Sequence, residues 1–250
     1  MQSKIGFKDS RKSIDDYIKW RIKRSVPAVY LVEKIISLKN KQVLDIGCGY
    51  GALCSVLLDR GAIVTGIEVD SDKLAVAKRF LNGKENLKLM QTFGETLPLE
   101  DNSVDLVCLF DVIEHIDHPD VTIRECRRVL KEKGVLYVEF TPYYSVTGHH
   151  LYDFAKWPIH ILPKDIIRKI VYSKRIDGFM THDYFWRQFE SLNKLKIHRF
   201  QKMVKDFSKV KERFIIKYPE VFEINLPFLN WLGPITDTLT MSFEGIYIKE

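Results

Sequence analysis

A glycine-rich turn between an apolar strand and a helix is the feature that most constrains this fold. Val43–Ile46 is a short apolar segment typical of a buried strand, and Gly47 and Gly49 follow it directly. A second apolar segment, Ile63–Ile67, ends at a carboxylate, Glu68. Glycines let a ligand approach the backbone closely, and an acid after the second strand is placed to bind ribose hydroxyl groups. The pattern predicts an α/β fold with a pocket for an adenosine-containing cofactor.

The spacing of the glycines separates the classes of cofactor. A dinucleotide-binding turn has the pattern G-x-G-x-x-G, and a P-loop ends in a lysine that binds phosphate. Here Gly47, Gly49 and Gly51 give G-x-G-x-G, Asp45 precedes them, and no such lysine follows. Asp45 is suited to order the turn and to attract an amino group. The turn therefore favours a zwitterionic ligand over a pyrophosphate.

This acid-led glycine turn resembles that of the class I S-adenosylmethionine-dependent methyltransferases, and the resemblance covers roughly residues 41–140. It implies that S-adenosylmethionine is the cofactor. It also implies that Gly47, Gly49 and Gly51 line the methionine and ribose part of the site, and that Glu68 accepts hydrogen bonds from both ribose hydroxyl groups. A single carboxylate has enough acceptor sites for both bonds.

Segments with strand and helix patterns alternate along the chain, which is typical of a parallel sheet covered by helices on both faces. We predict a doubly wound, mostly parallel seven-stranded sheet (a Rossmann-like methyltransferase fold) with N-terminal helices and an insertion after strand five. The predicted strands are Val43–Ile46, Ile63–Ile67, Leu87–Met90, Val104–Phe110, Val135–Phe140, Leu195–Phe200 and Ser242–Ile248. Two predicted helices of the core are Ala52–Leu58 and Pro119–Leu130. Between them, a third is capped by Asp70 or Ser71 and ends at Phe80. A later helix spans Asp183–Leu192.

The domain organisation predicted from these elements is an N-terminal helical cap, residues 1–40, and a methyltransferase domain, residues 41–250. Apolar spacing predicts one helix over 11–24 and a second that begins at Ser25 as N-cap, with Pro27 in its first turn. Residues 141–182 and 201–238 are predicted to be insertions on the substrate side, or a lid. Apolar residues between Phe200 and Phe214 repeat at helical spacing, with lysines between them.

The loops after strands three and four supply further candidates for the cofactor site. Residues 94–105 resemble the family's loop into strand four, where adenine is held, and Phe93 stands where the family often has an acid. Phe93 is predicted to stack on the adenine ring, or else to pack in the core. Gly94 lies beside it, and Glu95 is placed to bind the adenine amino group. Asp111, directly after strand four, is predicted to lie near the methionine end of the cofactor.

Asp111, Glu114 and His115 follow strand four with the spacing i, i+3 and i+4, which converges on one face of a helical turn. A related string holds a divalent metal in the methyltransferases of ubiquinone biosynthesis. The same Glu-His pair packs and forms hydrogen bonds in relatives that have no metal. We predict the second role, and no metal site.

The candidate general bases follow strand five. His149 and His150 come after Gly148, close in sequence to the strand end towards which the transferred methyl group is expected to project. A histidine titrates near neutral pH and is suited to accept a proton from the methyl acceptor. Tyr152 and Asp153 are placed to orient it. His115 is the second candidate for the base, and bracing of the loop is the alternative role for His149 and His150.

The acceptor is predicted to be a small or amphiphilic, lipid-like metabolite. Aromatic side chains cluster after strand five and again near the C-terminus, where they would form a pocket wall and part of a lid. They are Tyr143, Tyr144, Tyr152, Phe154 and Trp157 for the wall, and Phe222, Phe228 and Trp231 for the lid.

The charge distribution leaves other partners open. The formal net charge is +6, and residues 194–217 are rich in lysine and arginine. This segment is a solvated face, a surface for RNA, or a contact with anionic lipid at a membrane. The Asn/Asp-Pro-Pro-aromatic string of many nucleic-acid methyltransferases is missing after strand four, so RNA is not favoured. A cofactor-binding regulator without catalysis is the alternative outside enzymes.

The cellular setting is predicted from two absences in the sequence. No apolar run is long enough to span a membrane, and no apolar secretory signal opens the chain. The four cysteines lack a C-x-x-C pair and are predicted to be reduced, mostly buried thiols. The predicted location is cytoplasmic.

Overall fold

The computed structural model describes residues 9–155, 159–215 and 234–250. Seven strands form one sheet: β1 Gln42–Ile46, β2 Ile63–Glu68, β3 Leu87–Gln91, β4 Val104–Phe110, β5 Leu130–Phe140, β6 Phe207–Ile215 and β7 Ser242–Lys249. The helices are α1 Ile14–Glu33, α2 Ala52–Asp59, α3 Ser71–Phe80, α4 Pro119–Val129, α5 Lys164–Ser173, α6 His182–Glu190, α7 Ile197–Met203 and α8 Pro234–Leu239. Short 3-10 turns occupy Asp9–Arg11, Ile113–His115 and Ile159–Ile161.

The strand order is β3-β2-β1-β4-β5-β7-β6. The first five strands in this order are parallel to one another, while β7 is antiparallel to both β5 and β6. The order reverses between β1 and β4, and ligands of open α/β sheets bind at such a switch point, beyond the carboxyl ends of the strands. The predicted doubly wound, mostly parallel seven-stranded sheet is confirmed.

Apolar layers cover both faces of the sheet, as expected for parallel strands. Leu44 of β1 belongs to one layer, with residues of α4 and α7, whereas Val43 belongs to the other, with residues of α1 and α2. A third apolar cluster is built mostly from residues 143–192, after β5, and Tyr17 of α1 packs against it. In the described part of the chain, no helix is long and apolar enough to cross a membrane. The four cysteines are free and buried.

The N-terminal region is one helix, so the predicted boundary at Ser25 is wrong. Ser25 is fully buried within α1, and its hydroxyl donates to the carbonyl oxygen of Arg21 at 2.9 Å instead of capping a new helix. Pro27 lies inside α1 and removes one helical hydrogen bond, at a typical cost of about 3 kcal/mol. Residues on both sides of Pro27 are buried, from Ile18 to Val32, and this continuous packing offsets the cost.

The region after residue 194 also differs from the prediction. The segment predicted as strand Leu195–Phe200 is largely the helix α7, and Phe207–Ile215, predicted as helical, form the edge strand β6. Pairing with β7 overrides the local helical spacing, because it places Phe214 beside Phe243 with ring centroids 5.4 Å apart. Part of the predicted insertion 201–238 therefore belongs to the sheet.

Four predicted acceptor-site aromatics lie outside the described residues. They are Trp157, Phe222, Phe228 and Trp231.

Candidate active site

A cavity of about 660 Å³ lies beyond the carboxyl ends of β1, β2 and β4. It brings together most of the residues predicted for the site. Its lining includes Asp45, Gly47, Gly49, Glu68, Phe93, Gly94, Glu95, Asp111, His115 and His150. Neither Gly51 nor His149 is among the residues that line it.

The glycine turn leaves open space where a ligand needs it. Gly49 has φ +54°, and a Cβ atom there would have no heavy atom within 4 Å. Gly47 has φ +71°, and a Cβ atom there would lie 2.3 Å from a methyl carbon of Val112. Gly51 is the N-cap of α2 and packs against Leu81, so its role in this structure is to join the turn to the helices. The open face of the turn is at Gly49.

Glu68 connects the end of β2 to this turn. Its Oε2 accepts a hydrogen bond from the backbone N–H of Gly49 at 2.9 Å, and its Oε1 accepts from Val69 and Asp70 at 2.9 and 3.0 Å. The side chain is buried but lines the cavity. A carboxylate has about four acceptor positions and three are occupied here, so bonds to both ribose hydroxyl groups require one of the three backbone N–H groups to give up its bond when the ligand binds. The acceptor atoms of Glu68 therefore fit the ribose of S-adenosylmethionine.

Asp45 lies beneath the turn and is almost completely buried. Its Oδ2 accepts a hydrogen bond from the thiol of Cys54 at 3.2 Å. Burial raises the pKa of Asp45 to about 7. A neighbouring ammonium group would stabilise its charged form, as expected for a carboxylate that faces the amino group of the ligand.

The adenine candidates line another wall of the cavity. Phe93 is 65% exposed, so the alternative that it packs in the core is wrong. A Cβ atom on Gly94 would lie 3.0 Å from the methyl carbon of Thr122, which leaves little room for a side chain there. Glu95 accepts a 3.4 Å hydrogen bond from the backbone N–H of His118. The exposed Phe93 ring is free to stack on a planar base.

Asp111 binds two arginines that the sequence analysis did not identify. Its Oδ2 lies 2.5 Å from Nη1 of Arg21 and 2.6 Å from Nη1 of Arg24, and its backbone has the left-handed φ of +53°. Burial alone would raise the pKa of Asp111, but Arg24 and Arg21 hold it well below its usual range. Both arginines line the cavity. They project from α1 at positions i and i+3. Their position on one face of this helix was the only feature of the sequence that could have suggested a shared partner.

Arg24 also begins a buried polar network that runs away from the cavity. Its Nη2 donates to Oε1 of Glu139 at 2.8 Å. The hydroxyl of Tyr137 lies 3.0 Å from the other oxygen of Glu139 and 2.7 Å from Oε1 of Glu244, which pairs with Arg213. Burial raises the pKa of Glu139 to about 7. This network fixes the position of Arg24, and through it that of Asp111.

The metal-binding string is not reproduced as a ligand set, because Asp111 accepts hydrogen bonds from both arginines. Among the residues that the structure describes, one group of three places its donor atoms within 4.8 Å of one another: Glu114, His115 and His150. Arg24 lies near enough to lower the pKa of His150, although burial is the larger cause. A divalent cation at this group would share its surroundings with a guanidinium group. We derive no role for a metal there.

His115 and His150 form a neutral pair at the cavity. Their ring centroids are 4.9 Å apart in a T-shaped arrangement, and Nε2 of His150 lies 3.8 Å from Oε1 of Glu114. Burial lowers the pKa of His150 to about 4 and that of His115 well below its usual value. Both rings are therefore proton acceptors at neutral pH. His150 has a left-handed φ of +54°, a strained conformation that is typical of functional positions.

His149 has a different environment from His150. It is fully buried, and its Nδ1 accepts a hydrogen bond from the backbone N–H of Leu151 at 3.0 Å. These contacts agree with the alternative role for His149, in which it braces the loop. Asp153, predicted to orient a histidine, pairs with Arg11 at 2.6 Å. Tyr152 and Asp153 do line the cavity.

Two residues after α6 hold the turn that carries Glu114 and His115, and the sequence analysis missed both. The side-chain amide of Asn193 donates to the carbonyl oxygens of Ile113 and Ile116 at 2.8 and 2.7 Å. Ser191 Oγ lies 2.7 Å from Nδ1 of His115. No sequence spacing links residues 113–116 to 191–193, because the contact depends on how the cap folds over the sheet.

The buried Glu114 predicts a pH dependence of stability. Burial, and to a lesser extent Asp111, raises the pKa of Glu114 from 4.5 to about 8. The folded protein thus holds a proton that the unfolded chain releases, so this stability is lost as the pH rises through 8. His149 and His150, with pKa values lowered from 6.5 to about 4, act in the opposite direction, mainly below pH 6.5, and offset part of the fall above it. Between pH 6.5 and 8 we expect the free energy of unfolding to fall by roughly 1–2 kcal/mol.

Urea denaturation at several pH values measures this fall. Glu114→Gln removes the titrating proton, so the variant should show a smaller fall, with the remainder arising from Asp45 and Glu139. Their pKa values are raised to about 7. Glu95→Gln, which changes an acid at the cavity wall that is not buried, should leave the wild-type slope unchanged. An unchanged slope in Glu114→Gln would contradict the assignment.

Comparisons with known proteins give the same picture of the fold. Residues 44–138 match the protein family described as Methyltransferase domain. The chain is 31% identical over 140 residues to a ubiquinone biosynthesis O-methyltransferase of Coxiella burnetii, covering 53% of this chain and 57% of that protein. It is 35% identical over 108 residues to one of Pseudomonas fluorescens, covering 42% and 47%. The chain thus spans about half the length of the curated relatives it matches.

Solved structures extend the likeness of fold over nearly the whole chain. A protein of Pyrococcus horikoshii aligns with a TM-score of 0.63 and 20% identity over 100% of both chains. A Thermotoga maritima protein described as a possible histamine N-methyltransferase aligns with a TM-score of 0.59 and 17% identity over 95% of this chain and 96% of that one. At such identities the likeness shows the fold alone.

Proposed function

Because the chain contains a methyltransferase domain of the class I S-adenosylmethionine-dependent family, we propose that it transfers a methyl group to a nucleophilic atom of a small or amphiphilic metabolite. The observation that supports this most directly is the convergence of the glycine turn, Glu68, Phe93 and two neutral histidines on one cavity. When bound, S-adenosylmethionine supplies an electrophilic methyl group on a sulfonium ion.

The residues of the cavity near the glycine turn bind S-adenosylmethionine and fix its orientation. Glu68 accepts hydrogen bonds from the ribose hydroxyl groups, and Asp45 faces the amino group of the methionine part. Phe93 stacks on the adenine ring, and Glu95 accepts from the adenine amino group. Much of the rate of methyl transfer comes from alignment and exclusion of water, so rigid placement of these groups is their main contribution.

His150 and His115 act on the acceptor. A nucleophile that loses a proton during transfer needs a group that accepts it. Both rings are neutral at physiological pH and line the same cavity. The left-handed backbone of His150 and its contact with the His115 ring fix its orientation. We assign His150 and His115 together as the pair that accepts this proton.

The rest of the lining favours a small or amphiphilic acceptor. Tyr17, Trp20, Tyr152, Tyr184 and Phe185 line the cavity and offer apolar and aromatic surface. Tyr143 and Phe154, which were also predicted to form the wall, are buried in the third apolar cluster instead. The curated relatives, named as ubiquinone biosynthesis O-methyltransferases, favour an oxygen atom as the site of methylation.

RNA remains the alternative substrate, because a polynucleotide could span from the cavity to the basic segment. The basic segment around β6 forms the outer edge of the sheet, four strand positions from β1. With neighbouring strands about 4.8 Å apart, that edge is about 19 Å from the glycine turn. A small acceptor does not need to bridge this distance.

Incubation with methyl-labelled S-adenosylmethionine and a native cell extract tests the proposal. The label is then separated into RNA, protein, lipid and small-metabolite fractions, with Glu68→Ala, whose cofactor binding should be weakened, as the control at low cofactor concentration. Label in small metabolites or lipid supports the proposal, and label confined to RNA supports the alternative. Cofactor binding without transfer to any fraction would identify a regulator instead.

Substitution of each adjacent histidine separates proton acceptance from structural support. His150→Ala should lower the turnover rate by roughly 100-fold or more, since a positioned base contributes 10²–10⁴. Its affinity for S-adenosylhomocysteine should be unchanged. His149→Ala should lower the melting temperature, because it leaves a cavity in a buried loop, and should alter turnover far less. Equal effects of the two substitutions on turnover would contradict the assignment.

A further inference from the structure

Ser191 makes two hydrogen bonds that together determine where the proton of His115 lies. Ser191 is the C-cap of α6, and its hydroxyl donates to the backbone carbonyl oxygen of Gln188 at 3.0 Å. The same oxygen lies 2.7 Å from Nδ1 of His115. Ser191 and His115 both line the cavity.

A count of protons assigns the direction of the second bond. A serine hydroxyl has one proton and two acceptor lone pairs. Because the proton of Ser191 goes to the Gln188 carbonyl, the oxygen accepts at the contact with His115, and Nδ1 must carry the hydrogen. A neutral imidazole has one N–H, so Nε2 then holds the free lone pair.

We infer that Ser191 is a positioning residue that holds neutral His115 in the Nδ1–H tautomer and so makes Nε2 the atom that accepts a proton. This inference rests on the proposed function, in which His115 belongs to the proton-accepting pair. An unconstrained neutral histidine prefers the proton on Nε2, which would present an N–H donor instead of a lone pair. The serine therefore changes what the ring can do chemically.

The surrounding contacts keep this hydrogen bond in place. Asn193, two residues after Ser191, donates to the carbonyl oxygens on both sides of the turn that carries His115. Its backbone N–H also donates to the carbonyl oxygen of Glu114 at 2.9 Å. The end of α6 and the 113–116 turn are thus joined at several points, and the distance between Ser191 and His115 depends on this junction.

The tautomer is measured directly by ¹⁵N NMR on protein labelled at histidine, with the His115 signals assigned from a His115→Asn spectrum. Wild-type His115 should show a protonated Nδ1 and an unprotonated Nε2. Ser191→Ala should shift the ring towards the Nε2–H form, and Ser191→Thr, which keeps the hydroxyl, should retain the wild-type pattern. Ser173→Ala is the matched control, because Ser173 also ends a helix and donates to the carbonyl three residues earlier, at 3.0 Å.

The turnover rate should change in the same variants in which the NMR spectrum shows a changed tautomer. Ser191→Ala should lower turnover of methyl transfer roughly 10- to 100-fold, as expected for a base held in the wrong tautomer, with unchanged affinity for S-adenosylhomocysteine. Ser191→Thr and Ser173→Ala should keep wild-type turnover. An Nε2–H tautomer in the wild type, or no change of tautomer in Ser191→Ala, overturns the inference. So does a changed tautomer with unchanged turnover.

The two proposals fail in distinguishable ways. The tautomer is read from the spectrum without any acceptor. Absence of methyl transfer by the wild type to every fraction of the extract would refute the proposed function, and with it the catalytic half of this inference. The NMR comparison of wild type and Ser191→Ala would still decide the structural half.

Discussion

Replacement of Arg24 by methionine is expected to lower the free energy of unfolding by about 3 kcal/mol, a large fraction of the stability of a typical domain. Arg24 bridges two carboxylates, Asp111 at 2.6 Å and Glu139 at 2.8 Å, and all three side chains are at least four-fifths buried. Removal of one partner from a buried ion pair leaves the other charge without compensation. Asp111 would keep its ion pair with Arg21, whereas Glu139 would lose its ion pair with Arg24.

The pH dependence of this loss identifies its cause. Burial raises the pKa of Glu139, and Arg24 opposes that rise. Without Arg24 the carboxyl group should therefore bind a proton more readily, and the loss should be smaller at pH 6 than at pH 8. Urea denaturation at the two pH values measures the difference. Equal losses would show that packing of the arginine side chain, and not its charge, stabilises the fold.

Two further variants complete this experiment. The double variant Arg24→Met with Glu139→Gln should lose less stability than the sum of the single variants, because the second substitution removes the uncompensated charge. Arg60→Met is the matched control. Arg60 pairs with Glu33 at 2.7 Å, but its side chain is 38% exposed, and surface pairs contribute about 1 kcal/mol or less.

The parts of the site that were predictable from sequence are those specified over short stretches of chain. The glycine turn requires positive φ at Gly47, Gly49 and Gly51, and the structure has it at all three. Strand β4 has the predicted bounds, since a mostly apolar run between turn residues has few other conformations. Glu68 follows from the strand before it. These features depend on local backbone preferences and on the rule that ligands bind beyond the carboxyl ends of parallel strands.

The parts that were not predictable depend on contacts between distant segments. Arg24 reaches Asp111 across 87 residues of sequence, and Ser191 reaches His115 across 76. The helical spacing around Phe207 was real, but pairing with β7 determined the local structure. Likewise, Ser25 is a good N-cap residue in isolation, yet burial of its hydroxyl against Arg21 continues the helix. In each case tertiary packing overrides local preference.

These long-range contacts give α1 a direct role in the site. Tyr17, Trp20, Arg21 and Arg24 all project from this helix into the cavity lining. The guanidinium of Arg21 also lies 4.8 Å from the ring centroid of Phe110, at the end of β4. The predicted N-terminal cap is therefore part of the cavity wall, and it supplies positive charge where strand four ends on a carboxylate.

Glu68→Ala is expected to weaken binding of S-adenosylhomocysteine by about 2–3 kcal/mol, or roughly 30- to 150-fold in Kd. The substitution removes the proposed bonds to the two ribose hydroxyl groups. It also removes the acceptor that holds the N–H of Gly49, which faces the open side of the turn. Isothermal titration calorimetry with the demethylated product measures the loss. Asp72→Ala, which changes an exposed acid in the first turn of α3, is the control and should bind as the wild type does.

An analogue of the ligand separates the two roles of Glu68. S-adenosylhomocysteine that lacks both ribose hydroxyl groups should bind the wild type weakly, and Glu68→Ala should weaken it little further, because the groups that the carboxylate would bind are already absent. If Glu68 acts only by holding the turn at Gly49, the substitution should instead weaken both ligands by the same factor. Unchanged affinity for S-adenosylhomocysteine itself would show that the ribose lies elsewhere. Glu68 tests the cofactor assignment most directly, because its carboxylate joins the second strand to the turn that leads from the first.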